Sequence, residues 1–143
     1  MATARRRWND DGMHSITDIH DLIITGGGGS VVEVATVARL HGLHPMVVPA
    51  VPARVDLLHR PLRVWDGDRE LRARAIVIAH EHGPLPEVFR DYLAHDRRGR
   101  LVTESGSRTN VDGVFAAGPS SANDLLTWLG ETEAAVVAHA LAA

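Results

Sequence analysis

The residues Leu22-Ile23-Ile24-Thr25-Gly26-Gly27-Gly28-Gly29-Ser30-Val31-Val32-Glu33 decide the fold class of this chain. The apolar run at the start predicts a buried parallel strand, the glycines predict a tight turn, and the apolar residues after them have helical spacing. A flexible linker would also be rich in glycine, but a strand and an amphipathic helix flank this cluster closely, which favours the turn. Strand, turn and helix in this order predict a doubly wound α/β fold.

The glycine turn departs from the phosphate-binding pattern G-x-G-x-x-G. In that pattern glycines let the backbone approach a pyrophosphate, which the free amides of the helix N-terminus hold. Gly26 and Gly28 fit the first two positions, but the third is Val31. Ser30 and Glu33 have the spacing of a capping box, whose side chains satisfy the amides that a phosphate would need. We therefore expect Ser30 at the N-cap of a helix that caps itself.

Length and composition predict one folded domain. The 143 residues, 45% of them hydrophobic, are enough for a full core, and we expect that domain at residues 19–143 after a polar, flexible lead-in at residues 1–18. With a formal charge of -3, the chain lacks the basic balance that would attract nucleic acid, and we expect no nucleic-acid partner. No apolar segment approaches the roughly 20 residues that span a bilayer, and no signal-peptide pattern is seen, so we expect a soluble, cytoplasmic protein without membrane contacts.

The order of predicted strands and helices along the chain indicates an α/β fold with helices on both faces of a parallel sheet. A hairpin at Asp66-Gly67-Asp68 joins two extended segments, residues 62–65 and 70–79. The other predicted elements are strands at residues 20–25, 46–48, 101–102 and 114–117, a helix that ends at Gly42, a loop at 49–61, a helix from 84 to 95, and two helical segments within 122–142.

Three segments resemble the FAD-binding half of thioredoxin-reductase-like flavoproteins, a family with two dinucleotide-binding domains. Residues 21–39 resemble the family's strand, glycine turn and helix, and residues 71–79 resemble the strand that normally closes with Ala-Thr-Gly. Most specific is Arg108-Thr109-Asn110-Val111-Asp112-Gly113-Val114-Phe115-Ala116-Ala117-Gly118, which resembles the C-terminal signature that ends in Gly-Asp. The resemblance covers about half of the chain and implies a Rossmann-like FAD/NAD(P)-binding fold.

The departures from the family pattern concern cofactor contacts. The resemblance implies an acidic residue for the adenosine ribose where this chain has Pro49, and an aspartate for the ribityl chain of the flavin where it has Pro119. It also implies an NADPH domain with a Cys-x-x-Cys pair, but only residues 82–86 stand in its place and the chain has no cysteine. We therefore expect a truncated relative that uses no cofactor and has lost redox chemistry. The alternative is a degenerate FAD-dependent oxidoreductase that binds flavin weakly.

An FAD-shaped cleft at the carboxyl ends of parallel strands would remain a ligand site after the loss of its first ligand. His80, Glu81 and His82 follow a predicted strand, and histidine beside a carboxylate can transfer protons near neutral pH. If the protein is an enzyme, we expect cofactor-independent catalysis of the isomerase or cyclase type by these three residues, with Glu33 and Asp124 as alternates. The expected cleft residues are Gly26, Gly28, Gly29, Ser30, Gly118, Pro119, Ser120 and Ser121.

The same residues also allow interpretations that involve no catalysis. Three polar residues that leave a strand can simply face water, and Ser121 with Asp124 has the spacing of a second self-capped helix start. Two histidines at this spacing need a third ligand to hold a metal, and we predict no metal site. A non-catalytic interaction subunit explains the same departures. Because loss of a domain should uncover apolar surface, we also expect a homodimer.

Overall fold

The computed structural model describes residues 19–26, 29–79, 85–103 and 108–116, and of Gly29 and Ser30 the backbone alone. The elements in chain order are β1 (Leu22–Gly26), α1 (Gly29–Leu40), β2 (Pro45–Val48), β3 (Arg54–Asp56), β4 (Leu62–Asp66), β5 (Arg69–Ala73), β6 (Ile76–Ala79), α2 (Glu87–Arg90) and β7 (Val114–Ala116). The predicted lead-in at residues 1–18 and the helical segments within 122–142 lie outside the described residues.

Four strands form a parallel sheet in the order β2-β1-β6-β7, and β3, β4 and β5 form a separate antiparallel sheet. This arrangement confirms the predicted α/β fold with a parallel sheet and a small antiparallel hairpin. β1 pairs with β2 on one side and with β6 on the other, so that Ile23 lies between Met46 and Ile76. Every residue of β1 and of β6 is buried, as expected for parallel strands covered on both faces.

The parallel sheet separates two apolar layers. On one face, Leu22 and Ile24 pack together with the buried side of α1. On the other face, Ile23 packs together with Val64 and Leu71, which point inward from the antiparallel sheet. The alternation of side chains along β1 therefore holds three layers together in the order α1, parallel sheet, antiparallel sheet.

Glycines confirm two of the predicted turns. Gly42 follows the end of α1 at Leu40 with a φ of 81°, a conformation that a side chain would disfavour. In the predicted hairpin, Asp66 pairs with Arg69 across a two-residue turn, and Gly67 has a φ of 64°. Both turns required positive φ, which glycine adopts without steric cost.

Two predictions about α1 and the strands near it were wrong. α1 begins at Gly29, so that Ser30 lies in its first turn and not at the N-cap, and Glu33 is not the third residue after a cap. Residues 70–79 do not form one extended segment, because β5 ends at Ala73 and β6 begins at Ile76. Arg74 and Ala75 carry the chain from one sheet to the other.

Three predictions about the connecting segments were also wrong. The predicted loop at 49–61 contains β3, and residues 101–102 form no strand, since Leu101 makes only an isolated bridge with His95. The helix within 84–95 is the single turn α2. A long-range contact limits it, because the Asn110 side chain accepts a hydrogen bond from Ala94 N at 2.8 Å and donates one to Tyr92 O at 3.0 Å.

Asp56 organises the loop between β3 and β4. Its carboxylate accepts hydrogen bonds from the backbone N–H of Leu58 at 3.0 Å and from Arg63 Nη2 at 2.7 Å, and it lies 2.9 Å from His59 Nδ1. Partial burial alone would raise the pKa of Asp56. The hydrogen bonds from His59, Leu58 and Arg63 outweigh that effect and lower the pKa from 3.8 to about 2.

We expect Asp56→Asn to lower the free energy of unfolding by about 1 kcal/mol at neutral pH, because charged hydrogen bonds near the surface are lost. The folded-state pKa lies below the ordinary value of 3.8, so the stabilisation is present above that value and is lost as the pH falls toward about 2. Urea unfolding at pH 7, 4 and 2.5 measures the difference. Asp68→Asn, in the exposed hairpin turn, is the control. A difference that stays constant over this range would contradict the assignment.

Candidate ligand cleft at the carboxyl edge of the parallel sheet

The carboxyl ends of β1, β6 and β7 meet at one edge of the parallel sheet. Gly26 pairs with Ala79, and Ile78 pairs with Ala116. α1 begins at Gly29, only three residues after the end of β1. In open parallel sheets ligands bind beyond this edge, so the strand pairing selects the location of the candidate cleft.

The structure describes four of the predicted site residues. Gly26 ends β1 with a φ of 127°, which favours glycine, and the backbone of Gly29 and Ser30 opens α1. Glu33 is exposed on α1. The predicted residues outside the described part of the chain are His80, Glu81, His82 and Asp124 of the catalytic set and Gly28, Gly118, Pro119, Ser120 and Ser121 of the cleft.

Val31 occupies the position where the phosphate-binding pattern has its third glycine. Its side chain is 8% exposed and lies in the apolar layer between α1 and the sheet, together with Ile24, Ala79 and Phe115. The glycine of the pattern permits close packing of helix and strand. Here an isopropyl group fills that space, so the start of α1 does not fit the arrangement that holds a pyrophosphate in the family pattern.

The end of β2 also lacks the group that would bind an adenosine ribose. β2 ends at Val48, and the first carboxylate after it is Asp56. The Asp56 carboxylate is already held by Arg63, His59 and the backbone of its own loop. The described residues therefore do not fit FAD in the manner that the family resemblance implies.

The part of the signature that matches the family holds β7 in place. Thr109 Oγ1 accepts a hydrogen bond from Val111 N at 3.1 Å and donates one to Val114 O at 2.9 Å. Asn110 ties this turn to residues 92–94, and Arg60 Nη2 donates a hydrogen bond to Asp112 O at 2.8 Å. These contacts give the retained residues a structural role. The contacts of Arg60 and Asn110 were not predicted from the sequence, since their partners lie 52 and 16 to 18 residues away.

Thr25 was not among the predicted site residues, because it stands within an apolar strand. Thr25 is fully buried, and within the described residues no group forms a hydrogen bond with its Oγ1 atom. The sequence feature that could have identified Thr25 is its hydroxyl group directly before the glycine turn, at the carboxyl end of β1.

The described residues contain no group of three His, Asp or Glu side chains that could hold a metal ion. In the same part of the chain, no helix is long and apolar enough to cross a membrane.

Comparison with curated proteins finds thioredoxin reductases, although no family model matches the sequence. The thioredoxin reductase of Chlamydia pneumoniae is 30% identical over an alignment 141 residues long. The alignment covers 76% of this chain and 45% of that protein. The thioredoxin reductase of Rickettsia prowazekii is 50% identical over 44 residues, which cover 30% of this chain and 14% of that protein. The chain therefore spans less than half the length of these curated relatives.

Comparison with solved structures finds the same fold. The crystal structure of thioredoxin reductase from Streptococcus pyogenes MGAS5005 matches with a TM-score of 0.72 and 10% identity, covering 87% of this chain and 98% of that chain. At this identity the match is evidence for the fold alone. In sequence and fold together, the chain is a thioredoxin-reductase-like domain of the FAD/NAD(P)-binding type.

Proposed function

We propose that this domain binds a small molecule at the carboxyl edge of its parallel sheet and catalyses proton transfer there without FAD or NADPH. The pairing of Gly26 with Ala79 is the observation that carries the proposal. It puts the residue that directly precedes His80-Glu81-His82 beside the glycine turn. A cytoplasmic location is part of the proposal.

The proposed chemistry uses the ionisable groups that follow β6. Histidine can accept and return a proton near neutral pH, and a neighbouring carboxylate can orient it or act as a second base. His80, Glu81 and His82 would remove a proton from one atom of the substrate and return one to another, as in an isomerase or cyclase. Glu33 and Asp124 are the alternates. No electron transfer is required, and the chain has no cysteine that could exchange disulfides.

Three features of the chain support the absence of FAD from this proposal. Val31 fills the helix-to-sheet layer where the family pattern has a glycine, and Asp56, the first carboxylate after β2, is engaged by Arg63 and His59. Pro119 stands where the resemblance implies the aspartate for the ribityl chain.

We expect the purified protein to be colourless and to take up no FAD at micromolar concentration. Each lost charged hydrogen bond typically costs about 1.5–3 kcal/mol, and each 1.4 kcal/mol weakens binding about tenfold. Visible absorbance after incubation with FAD and gel filtration measures retention. Flavin in stoichiometric amount would contradict the proposal and support the FAD-dependent alternative.

Two glycine substitutions on α1 test separately whether Val31 alone prevents FAD binding and how much its packing contributes to stability. Val31→Gly recreates the glycine of the pattern, but we expect no FAD binding and a loss of about 2–3 kcal/mol of stability, because a buried side chain is removed. Val32→Gly is the matched control, since Val32 is 65% exposed and its loss should cost about 0.5 kcal/mol or less.

We expect His80→Ala and His82→Ala to lower turnover by about 10²–10⁴-fold, the usual contribution of a general acid or base, with little change in thermal stability. The assay is turnover of a substrate found by screening, with Glu81→Gln as the third variant and circular dichroism melts to check folding. His41→Ala, at the carboxyl end of α1, is the histidine control. Full activity in all three variants would identify the cluster as solvated surface and direct attention to Glu33 and Asp124.

The extent of the match to the relatives favours a second candidate, a degenerate FAD-dependent oxidoreductase that binds flavin weakly. The proposed loss of redox chemistry partly depends on a missing domain in the middle of the chain. If that domain were missing, an alignment that covers most of this chain would run across the gap and cover most of the relative's length. The match to the Chlamydia pneumoniae protein instead takes up 76% of this chain and 45% of that protein. A non-catalytic interaction subunit is the third candidate, and it predicts neither flavin colour nor turnover.

We also propose a homodimer. The outward side of α1 supports it, because Val32 and Leu40 are 65% and 78% exposed. Light scattering at tens of micromolar should give twice the mass of the chain, and Leu40→Glu should shift the protein toward the monomer by placing a charge on this surface. A monomer at these concentrations would remove the proposal.

A further inference from the structure

Thr25 combines a buried hydroxyl with a position at the ligand edge of the sheet. It directly precedes Gly26, pairs in register with Val48 on β2 and Ile78 on β6, and is fully buried. Within the described residues its Oγ1 atom has no hydrogen-bond partner. Leu22 and Ile24 pack on the face of α1, and Ile23 packs on the opposite face. Alternation along the strand therefore puts Thr25 on the face turned away from α1.

An unpaired hydroxyl at this position is unfavourable for folding. Valine has nearly the same shape and would pack between Val48 and Ile78 without a polar group that loses its water. Thr109 shows the usual arrangement, since it is 6% exposed and its hydroxyl has partners on Val111 and Val114. Buried polar groups without partners are uncommon, and each one calls for a reason such as a ligand.

We propose that Thr25 is a ligand-binding residue whose hydroxyl donates a hydrogen bond to an oxygen atom of an apolar small molecule. The flanking side chains of Val48 and Ile78 are apolar, which suits a largely apolar ring or chain with one carbonyl group. The inference depends on the proposed function for the location of the cleft. Because the hydroxyl faces away from α1, this contact does not involve the start of that helix. Since Thr25 is buried, binding requires the edge to open around the ligand.

The first test needs no ligand and uses two buried threonines as a matched pair. We expect Thr25→Val to raise the melting temperature by about 2–5 °C, because it removes an unpaired polar group, and Thr109→Val to lower it by a similar amount, because it leaves two hydrogen bonds unmade. Circular dichroism melts measure both. An unchanged or lowered melting temperature for Thr25→Val would mean that the hydroxyl has a partner in the folded chain, and would overturn the proposal.

The second test uses 7-methoxycoumarin, a fluorescent apolar bicycle with a carbonyl oxygen. We expect Thr25→Val to weaken binding about two- to tenfold relative to the wild type, and Thr25→Ser, which keeps the hydroxyl, to preserve it. Equal affinity in wild type and Thr25→Val, or no binding by the wild type up to the solubility limit of the probe, would overturn the ligand role. Neither test measures turnover or flavin retention, so a failed catalytic proposal is distinguishable from a failed role for Thr25.

Discussion

The parallel pairing of β1 with both β2 and β6 is the constraint on which the rest of the structure depends. All five residues of β1 are buried, so the strand must satisfy its backbone on two sides and its side chains on two faces. A shift of one residue would exchange the face that packs on α1 with the face that packs on the antiparallel sheet. The same register sets Gly26 beside Ala79, and therefore decides which parts of the sequence share the ligand edge.

Elements with strong local signals could be predicted from the sequence. The apolar runs of β1 and β6, the glycine that ends α1 and the Asp-Gly turn each determine structure through their own neighbours. The failures have different causes. α2 stops after one turn, and Asn110, 16 to 18 residues away, occupies backbone groups of residues 92–94, a contact that no local window of sequence shows. β3 pairs with the nearby β4, but the prolines at positions 49, 52 and 61 favoured a loop over the whole segment.

The candidate site could be located from the sequence but not described in detail. Parallel strands that each end in a turn must share an edge, so the glycine turn and the segments after Ala79 and Ala116 could be grouped without coordinates. The unpaired hydroxyl of Thr25 could not be inferred, because a threonine within an apolar strand usually finds an acceptor nearby. The hydrogen bond of Arg60 could not be predicted either, since the Asp112 carbonyl group that accepts it lies 52 residues away.

Residues that match the family signature and residues that depart from it occupy different kinds of position in this chain. Thr109 and Asn110, which match the family signature, form the hydrogen bonds that hold the turn before β7. Val31 and Pro49, which do not match, stand where the pattern needs a glycine and a carboxylate. Similarity carried by the first group concerns the fold, because these side chains bind backbone groups of the chain itself. The proposal of a cofactor-free function rests on the second group, because its departures fall at positions where the family pattern has cofactor contacts.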